Sequence, residues 1–386
     1  MLKLFNTFSL KKEDFEPFDK PSVKIFICGP TLYDYTHLGH ARIFLTYDLL
    51  SRYLKSQGYT PDVLVNMTDI NQNVFNKAIE QETDYIKLTR FYSAEFIKDL
   101  VLLNISSITR LAHVSDYVKS IVKHIAFLIE HKNAYSANGN VYFDTTTVKD
   151  YGIISKQSRQ QLNLHRLDIG PNKKNQEDFM LWNCSEDFGF SWSGDFGNGV
   201  PWWHIQDSTV AVENFGLHYD IHGGAKELAY PHHEAHLAQY KALTGMENPV
   251  KLWMHVGLVL SKGEKMSKSL GNMILARELV SKYGQNLLRL YLFSTHYREE
   301  IDYKENDLVG KKTLLEKIYK ANHMTSDQTS KNICNLMTQF FTSFEDDLNS
   351  PKALDALDEI CSAVLENDSI STADFMKITS VLGLSI

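Results

Sequence analysis

Apolar and polar positions along the first hundred residues follow two different periods. Val23-Lys-Ile-Phe-Ile-Cys28 is a short β-branched run stopped by Gly29-Pro30, which predicts a buried strand and then a turn. From His40 to Gln57 apolar residues recur at helical spacing (Ile43, Leu45, Tyr47, Leu50, Tyr53, Leu54), and Gly58 ends the segment. Val63-Leu-Val-Asn-Met67 reads as a second strand. Strand, helix and strand within about 45 residues predict a right-handed parallel crossover. Ligands of such sheets sit beyond the carboxyl ends of the strands, where Cys28, Thr68 and Asp69 fall.

Further along, Phe91 to Leu103 and Asp116 to Glu130 read as amphipathic helices, and Gly139 to Asp144 as a strand after a turn. Residues 185–203 are rich in Gly, Trp and Phe and predict a long structured loop, a kind that often carries function. From Asn306 onward the pattern turns wholly helical, with apolar spacing over Leu308 to Tyr319, Ile333 to Phe344 and Ala353 to Leu365. That tail holds seven lysines and no arginine against twelve acidic residues, a poor surface for a polyanion.

Composition adds exclusions. The 386 residues, 43% hydrophobic and with a net charge of −7, suit a globular chain of two or three domains rather than a disordered or fibrous one. No apolar stretch approaches the roughly 18 residues that span a bilayer. The best one, Ile121 to Ile129, is broken by Lys123 and His124. The amino terminus lacks the apolar core of a signal peptide, and Cys28, Cys184, Cys334 and Cys361 lie far apart. The expectation is a reduced cytoplasmic protein without a membrane partner.

Two short motifs carry candidate chemistry. His37-Leu-Gly-His40 stands at the turn between the first strand and its helix. Two imidazoles three residues apart share one helix face and can donate to phosphate oxygens, to which the helix start adds free N–H groups and a positive dipole end. Gly39 leaves room for a ligand beside the backbone. The second motif is Lys265-Met-Ser-Lys-Ser269, inside SKGEKMSKSLGN. Its lysines and hydroxyls suit a developing negative charge on a departing phosphate.

The pair, in this order, resembles the signatures of class I aminoacyl-tRNA synthetases. Cys28-Gly-Pro-Thr-Leu-Tyr-Asp34, Asn66-Met-Thr-Asp-Ile70, Trp203-His-Ile205, Asp220-Ile-His-Gly-Gly224, Pro231-His-His-Glu234 and Phe344-Glu-Asp-Asp-Leu-Asn-Ser-Pro351 narrow the resemblance to the cysteinyl-tRNA synthetase family. The similarity implies an α/β fold: a Rossmann-type parallel-sheet catalytic domain (1–110 and 204–305), a connective insertion (111–203) and a small helical bundle (306–386). It implies an enzyme that makes aminoacyl-AMP from ATP, with Mg2+, and an amino acid, and releases pyrophosphate. His37, His40, Lys265 and Lys268 would be catalytic. Thr31, Gly39, Ser267 and Ser269 would hold the nucleotide, and Thr68 and Trp203 would line the amino-acid pocket.

The family holds zinc with Cys, Cys, His and Glu, and the substrate thiolate binds that metal. The matching residues here are Cys28, Asp207, His232 and His236. All four can ligate Zn2+, and His232 and His236 share a helix face. Replacing thiolate by carboxylate hardens the donor set, which opens the site to hydroxyl or amino ligands beside cysteine.

The chain stops where the family's anticodon-binding domain would begin. With the acidic tail and the altered metal ligands, this favours a ligase that joins cysteine to a small-molecule amine, as in mycothiol biosynthesis, acting as a monomer. The alternatives are a truncated enzyme that charges tRNA and a non-catalytic paralogue with a binding role.

Overall fold

The computed structural model describes residues 1–158, 173–184, 189–266 and 271–386. Ser267, Lys268 and Ser269 of the second motif lie outside that set.

The centre is a five-stranded parallel sheet. Its strands are β1 (Ser22–Ile27), β2 (Thr60–Met67), β3 (Arg110–His113), β4 (Tyr219–Ala225) and β5 (Val250–Val256), in the order β5-β4-β1-β2-β3. The order reverses between β1 and β4, so the crevice above their carboxyl ends is the topological switch point of a Rossmann-type sheet. Helices cover it: α1 (Leu38–Ser56) connects β1 to β2, α2 (Trp203–Phe215) precedes β4, and α3 (His232–Thr244) connects β4 to β5. β4 is buried along its whole length, as expected for a strand covered on both faces.

β1, α1 and β2 match the sequence pattern within three residues at each end. β3 shows that the sheet runs past residue 110. Its four residues pair with Leu64–Met67 of β2, so the sheet extends to His113. The chain between β3 and α2 carries a four-stranded antiparallel sheet of Ala134–Ala137, Asn140–Phe143, Phe179–Asn183 and Val200–Pro201. The last strand returns the chain to α2 and so places Trp203.

At the carboxyl end, the single helix expected over Leu308 to Tyr319 is two, Glu305–Gly310 and Lys312–His323, broken at Lys311. Helices Lys331–Glu345, Ser350–Leu365 and Thr372–Leu382 complete the bundle. A buried arginine fastens it to the sheet domain. Arg289 donates to Asp48 of α1 at 2.5 Å and to the Leu382 carbonyl at 2.7 Å.

Candidate active site

Two glycines shape the crevice floor. A Cβ on Gly29 would lie 1.6 Å from the Asn66 carbonyl oxygen, so only glycine lets the ends of β1 and β2 meet this closely. The contact sets Cys28 beside Asn66. The Thr31 and Thr68 backbones bridge just above, with Leu32 N–H donating to the Thr68 carbonyl at 3.0 Å.

His37 is the N-cap of α1. Its Nδ1 accepts from the Gly39 and His40 amides at 3.1 and 3.3 Å. The Leu38 amide is taken by the Ile274 carbonyl. The free N–H groups expected at this helix start are therefore already bonded, which corrects the sequence reading. The imidazoles must hold any phosphate. Because Nδ1 of His37 accepts, its proton sits on Nε2. Burial lowers the His37 pKa to about 4 and pushes His40 well down, so both rings are neutral donors at physiological pH. They stack at 3.7 Å, and His40 Nδ1 is buried without a partner among the described residues.

Gly39 is explained by its neighbour. A Cβ there would lie 2.9 Å from His37 Cε1, so the glycine makes room for the capping imidazole. His37, Gly39, His40 and Thr31 line a cavity of about 210 Å³ with Cys28, Glu227 and Lys265. Lys265 pairs with the Glu227 carboxylate across its mouth. Arg42 donates to the carbonyls of Gly257 and Leu258, fixing the opposite wall.

Below the cavity, Cys28 Sγ lies 3.1 Å from Asp207 Oδ2, and His232 Nε2 lies 2.9 Å from the same oxygen. These three ligand atoms fall within 4.8 Å of one another. The donor set fits zinc, with a soft sulfur, an imidazole and a carboxylate. Supporting contacts fit as well. Asn66 Nδ2 donates to the other oxygen of Asp207 at 2.6 Å, which leaves Oδ2 for a metal, and Trp203 stacks on His232 at 4.4 Å. Burial opposes ionisation of Asp207, yet His232 and the hydrogen bonds hold its pKa below the usual carboxylate value. Burial, then Asp207, push the Cys28 thiol well up, so binding a metal must release its proton.

His236 does not join them. Its Nε2 meets the Tyr219 hydroxyl at 2.8 Å and its Nδ1 faces Ser208 Oγ at 3.4 Å. Sharing a helix face with His232 was not enough, because Tyr219 of β4 reaches His236 first. On the other side of Cys28 stand two histidines that the sequence reading quoted without a role. His233 Nε2 is 3.2 Å and His222 Nε2 3.6 Å from Sγ. Only their place beside a candidate zinc cysteine could have marked them. Thr68 Oγ1 accepts from Asn66 Nδ2 at 3.2 Å, so it shares the amide that also donates to Asp207.

A Rossmann-type sheet with paired histidines at the first helix start, sharing a switch-point cavity with Lys265, fits a class I aminoacyl-tRNA synthetase core. Comparison with known proteins agrees. The family described as tRNA synthetases class I (C) catalytic domain matches residues 14–313. Cysteine–tRNA ligase of Thermococcus onnurineus is 35% identical over 380 residues, covering 94% of this chain and 80% of that protein. The enzyme of the same name from Idiomarina loihiensis is 37% identical over 387 residues, covering 99% and 84%. In structure, Mycobacterium tuberculosis methionyl-tRNA synthetase in complex with methionyl-adenylate superposes with a TM-score of 0.68 at 15% identity, covering 94% of this chain and 88% of that one. The chain belongs to the cysteinyl-tRNA synthetase family. It is a ligase of the aminoacyl-adenylate-forming kind. No helix among the described residues is long and apolar enough to cross a membrane.

Proposed function

We propose that this protein activates cysteine with ATP and transfers it to the 3′ end of a tRNA, acting as a monomer. One observation carries the activation step: His37, His40 and Lys265 share a single cavity with Cys28. An amino-acid carboxylate oxygen attacks the α-phosphorus, the bond to the pyrophosphate oxygen breaks, and pyrophosphate leaves with the electron pair. The Nε2–H of His37 and the imidazole N–H of His40 donate to the crowded phosphate oxygens, where charge builds in the transition state. Lys265, freed from Glu227, and Lys268 neutralise the leaving group, which Mg2+ accompanies. Thr31, Gly39, Ser267 and Ser269 shape the nucleotide site.

Cys28, Asp207 and His232 would hold a Zn2+ ion, which supplies Lewis-acid attraction for a substrate thiolate. Asn66 orients Asp207, while Thr68 and Trp203 border the amino-acid pocket. His236 holds Tyr219 instead of the metal.

The tRNA reading is supported by relatives named cysteine–tRNA ligase that align with 94–99% of the chain. None of those named above carries a small-molecule acceptor in its name. A second reading, transfer to a small-molecule amine, is favoured by the acidic carboxyl-terminal helices, with seven lysines and no arginine against twelve acidic residues. The test is pyrophosphate exchange across a panel of amino acids with metal analysis of the same sample, followed by aminoacylation of total tRNA. Robust charging removes the small-amine reading. Exchange without charging removes the tRNA reading.

A further inference from the structure

Cys28 stands between two groups of donors. On one side are Asp207 and His232. On the other are His222 of β4 and His233 of α3, both wholly buried, whose Nε2 atoms lie 3.6 and 3.2 Å from Sγ. We propose that Cys28, His222 and His233 form a second metal seat, which takes a soft monovalent cation of the copper(I) class and draws the sulfur away from the Asp207 side. The seat needs neither Asp207 nor His232, so it does not depend on the zinc reading.

The three ligand atoms fall within 4.8 Å of one another. Metal bonds of about 2.0–2.3 Å, as imidazole and sulfur make to zinc, set such atoms roughly 3.5–3.8 Å apart, close to the two distances found here. Among the described residues, the donors converge as Cys28 with Asp207 and His232, or as Cys28 with His222 and His233. The sulfur is the one atom common to both sets.

Both imidazoles of the second set are braced from behind, as metal-bound histidines are. His222 Nδ1 meets the Tyr219 hydroxyl at 2.6 Å, and that hydroxyl meets His236 Nε2 at 2.8 Å. His233 Nδ1 meets His255 Nε2 at 2.8 Å, and His255 Nδ1 meets Thr7 Oγ1 at 2.8 Å. Each chain can carry its protons outward. Nδ1–H of His222 then donates to Tyr219, whose O–H donates to His236, and Nδ1–H of His233 donates to His255, whose Nδ1–H donates to Thr7. In that direction both Nε2 lone pairs face a sulfur with one proton to give, and Asp207 Oδ2 competes for the same proton. A cation in place of that proton serves both imidazoles and the sulfur together. Phe26 stacks on His222 at 5.1 Å and Trp253 lies 4.5 Å from the same ring, which gives the pair an apolar wall.

Charge and softness select the ion. One thiolate and two imidazoles carry a single negative charge, which a monovalent ion neutralises. A divalent ion there would leave a buried positive charge, whereas thiolate and carboxylate together neutralise one on the Asp207 side. A thiolate donor set without carboxylate is soft, the kind that selects copper(I). Binding breaks the Cys28 S–H bond, sends the proton to solvent and forms the Cu–S bond, while copper keeps its oxidation state. Cys28 lines the cavity of the paired histidines, which gives an ion a route to the sulfur. Once the sulfur is taken, zinc on Asp207 and His232 has lost a ligand.

The experiment titrates the full chain with Cu+ under nitrogen and ascorbate, against bicinchoninate as the competing ligand. Every sample carries Cys184→Ser and Cys334→Ser, which removes the free thiols that are not buried. X-ray absorption of the loaded parent should show copper on one sulfur and two imidazole nitrogens. Asp207→Asn with His232→Gln should bind copper within about threefold of the parent, while His222→Gln with His233→Gln should bind it at least about tenfold more weakly. Tyr219→Phe keeps the buried ring and removes the brace on His222, so it tests the seat if the paired variant folds poorly, and it should weaken copper about tenfold. Zinc-loaded parent should release zinc as copper is taken up. Copper bound through sulfur alone overturns the proposal, as does copper weakened by the Asp207–His232 pair and not by the His222–His233 pair. Zinc that stays on a fully copper-loaded chain overturns it as well. A chain that takes up no zinc overturns the zinc reading alone, and the paired variants still decide this one.

Discussion

Asn66 and Asp207, which come from different strand and helix ends, meet at 2.6 Å with the amide nitrogen on the carboxylate oxygen that faces away from Cys28. The contact aims Asp207 at the sulfur and at His232. Asn66→Leu keeps the volume and removes the donor. Loss of such an orienting partner typically weakens metal binding about 10–100-fold, and chelator competition at constant pH should show a drop of that size. Unchanged zinc affinity would mean that Asp207 is not a ligand.

His236 supplies the complementary test. With its two nitrogens on Tyr219 and Ser208, His236→Ala should leave metal stoichiometry unchanged. It should cost about 1 kcal/mol or somewhat more in urea unfolding, from the lost hydrogen bond and the exposed Tyr219 partner. Zinc loss from this variant would restore His236 to the ligand set. Asp207→Cys belongs beside it. Exchanging the carboxylate for a thiolate softens the site, so selectivity in pyrophosphate exchange should move toward thiol-bearing amino acids.

Gly39 links backbone space to catalysis. In Gly39→Ala the new methyl must displace the His37 ring, which lies 2.9 Å from the added Cβ. Moving a phosphate donor by about 1 Å can lower rate on the order of a hundredfold. Pyrophosphate exchange should fall by that order while the urea midpoint moves little. His40→Ala should lower exchange about tenfold to a hundredfold. A Gly39→Ala enzyme of normal rate would place the productive imidazole elsewhere.

Much of this site was legible in the sequence, and the rest was hidden for identifiable reasons. Strand ends and helix starts marked Cys28, His37 and His40, because local periodicity sets both. The fate of the helix-start amides was not legible, since it depends on the His37 rotamer and on Ile274, far away in sequence. His236 was misplaced because helical spacing gives a face but not the neighbour opposite it, here Tyr219. Strand β3 escaped notice because Arg110-Leu-Ala-His113 is short and mixed in polarity. Arg289 gave no signal at all, as its importance lies in partners brought together by the fold.

Arg289 makes the stability of the whole chain depend on one buried pair. Asp48 accepts from Arg289 at 2.5 Å and from Arg52 at 2.7 Å, and Asp48 and Arg289 are both fully buried. Burial works against ionisation of Asp48, but the two arginines win and lower its pKa. Arg289→Leu would leave a buried carboxylate short of its main partner and release the Leu382 carbonyl. The expected cost is about 3–5 kcal/mol in urea unfolding. A loss under about 1 kcal/mol would mean that Arg52 alone satisfies Asp48.

Acid should unfold the protein earlier than its carboxylates require. Burial lowers the pKa of His37 and His255 to about 4 and that of His236 to about 3, from an ordinary 6.5. His40, His204, His222 and His233 are pushed down by burial as well. Between pH 6.5 and 4 the unfolded chain therefore binds protons that the folded chain refuses. Stability is full above the unfolded value and declines as pH falls below it, by about 1.4 kcal/mol per pH unit for each histidine kept neutral. Asp69, Asp220 and Glu234, raised by burial, act in the opposite sense, but three carboxyls face seven imidazoles. Asp48 and Asp207 have lowered pKa values, so their contribution persists until the pH nears the ordinary carboxylate range. Urea titrations with a chelator present, at pH 7.5 and 5.0, should show stability falling by more than about 1.4 kcal/mol. Equal stability at the two values would mean that these imidazoles are protonated inside the fold, and His37 could then no longer cap its helix through Nδ1.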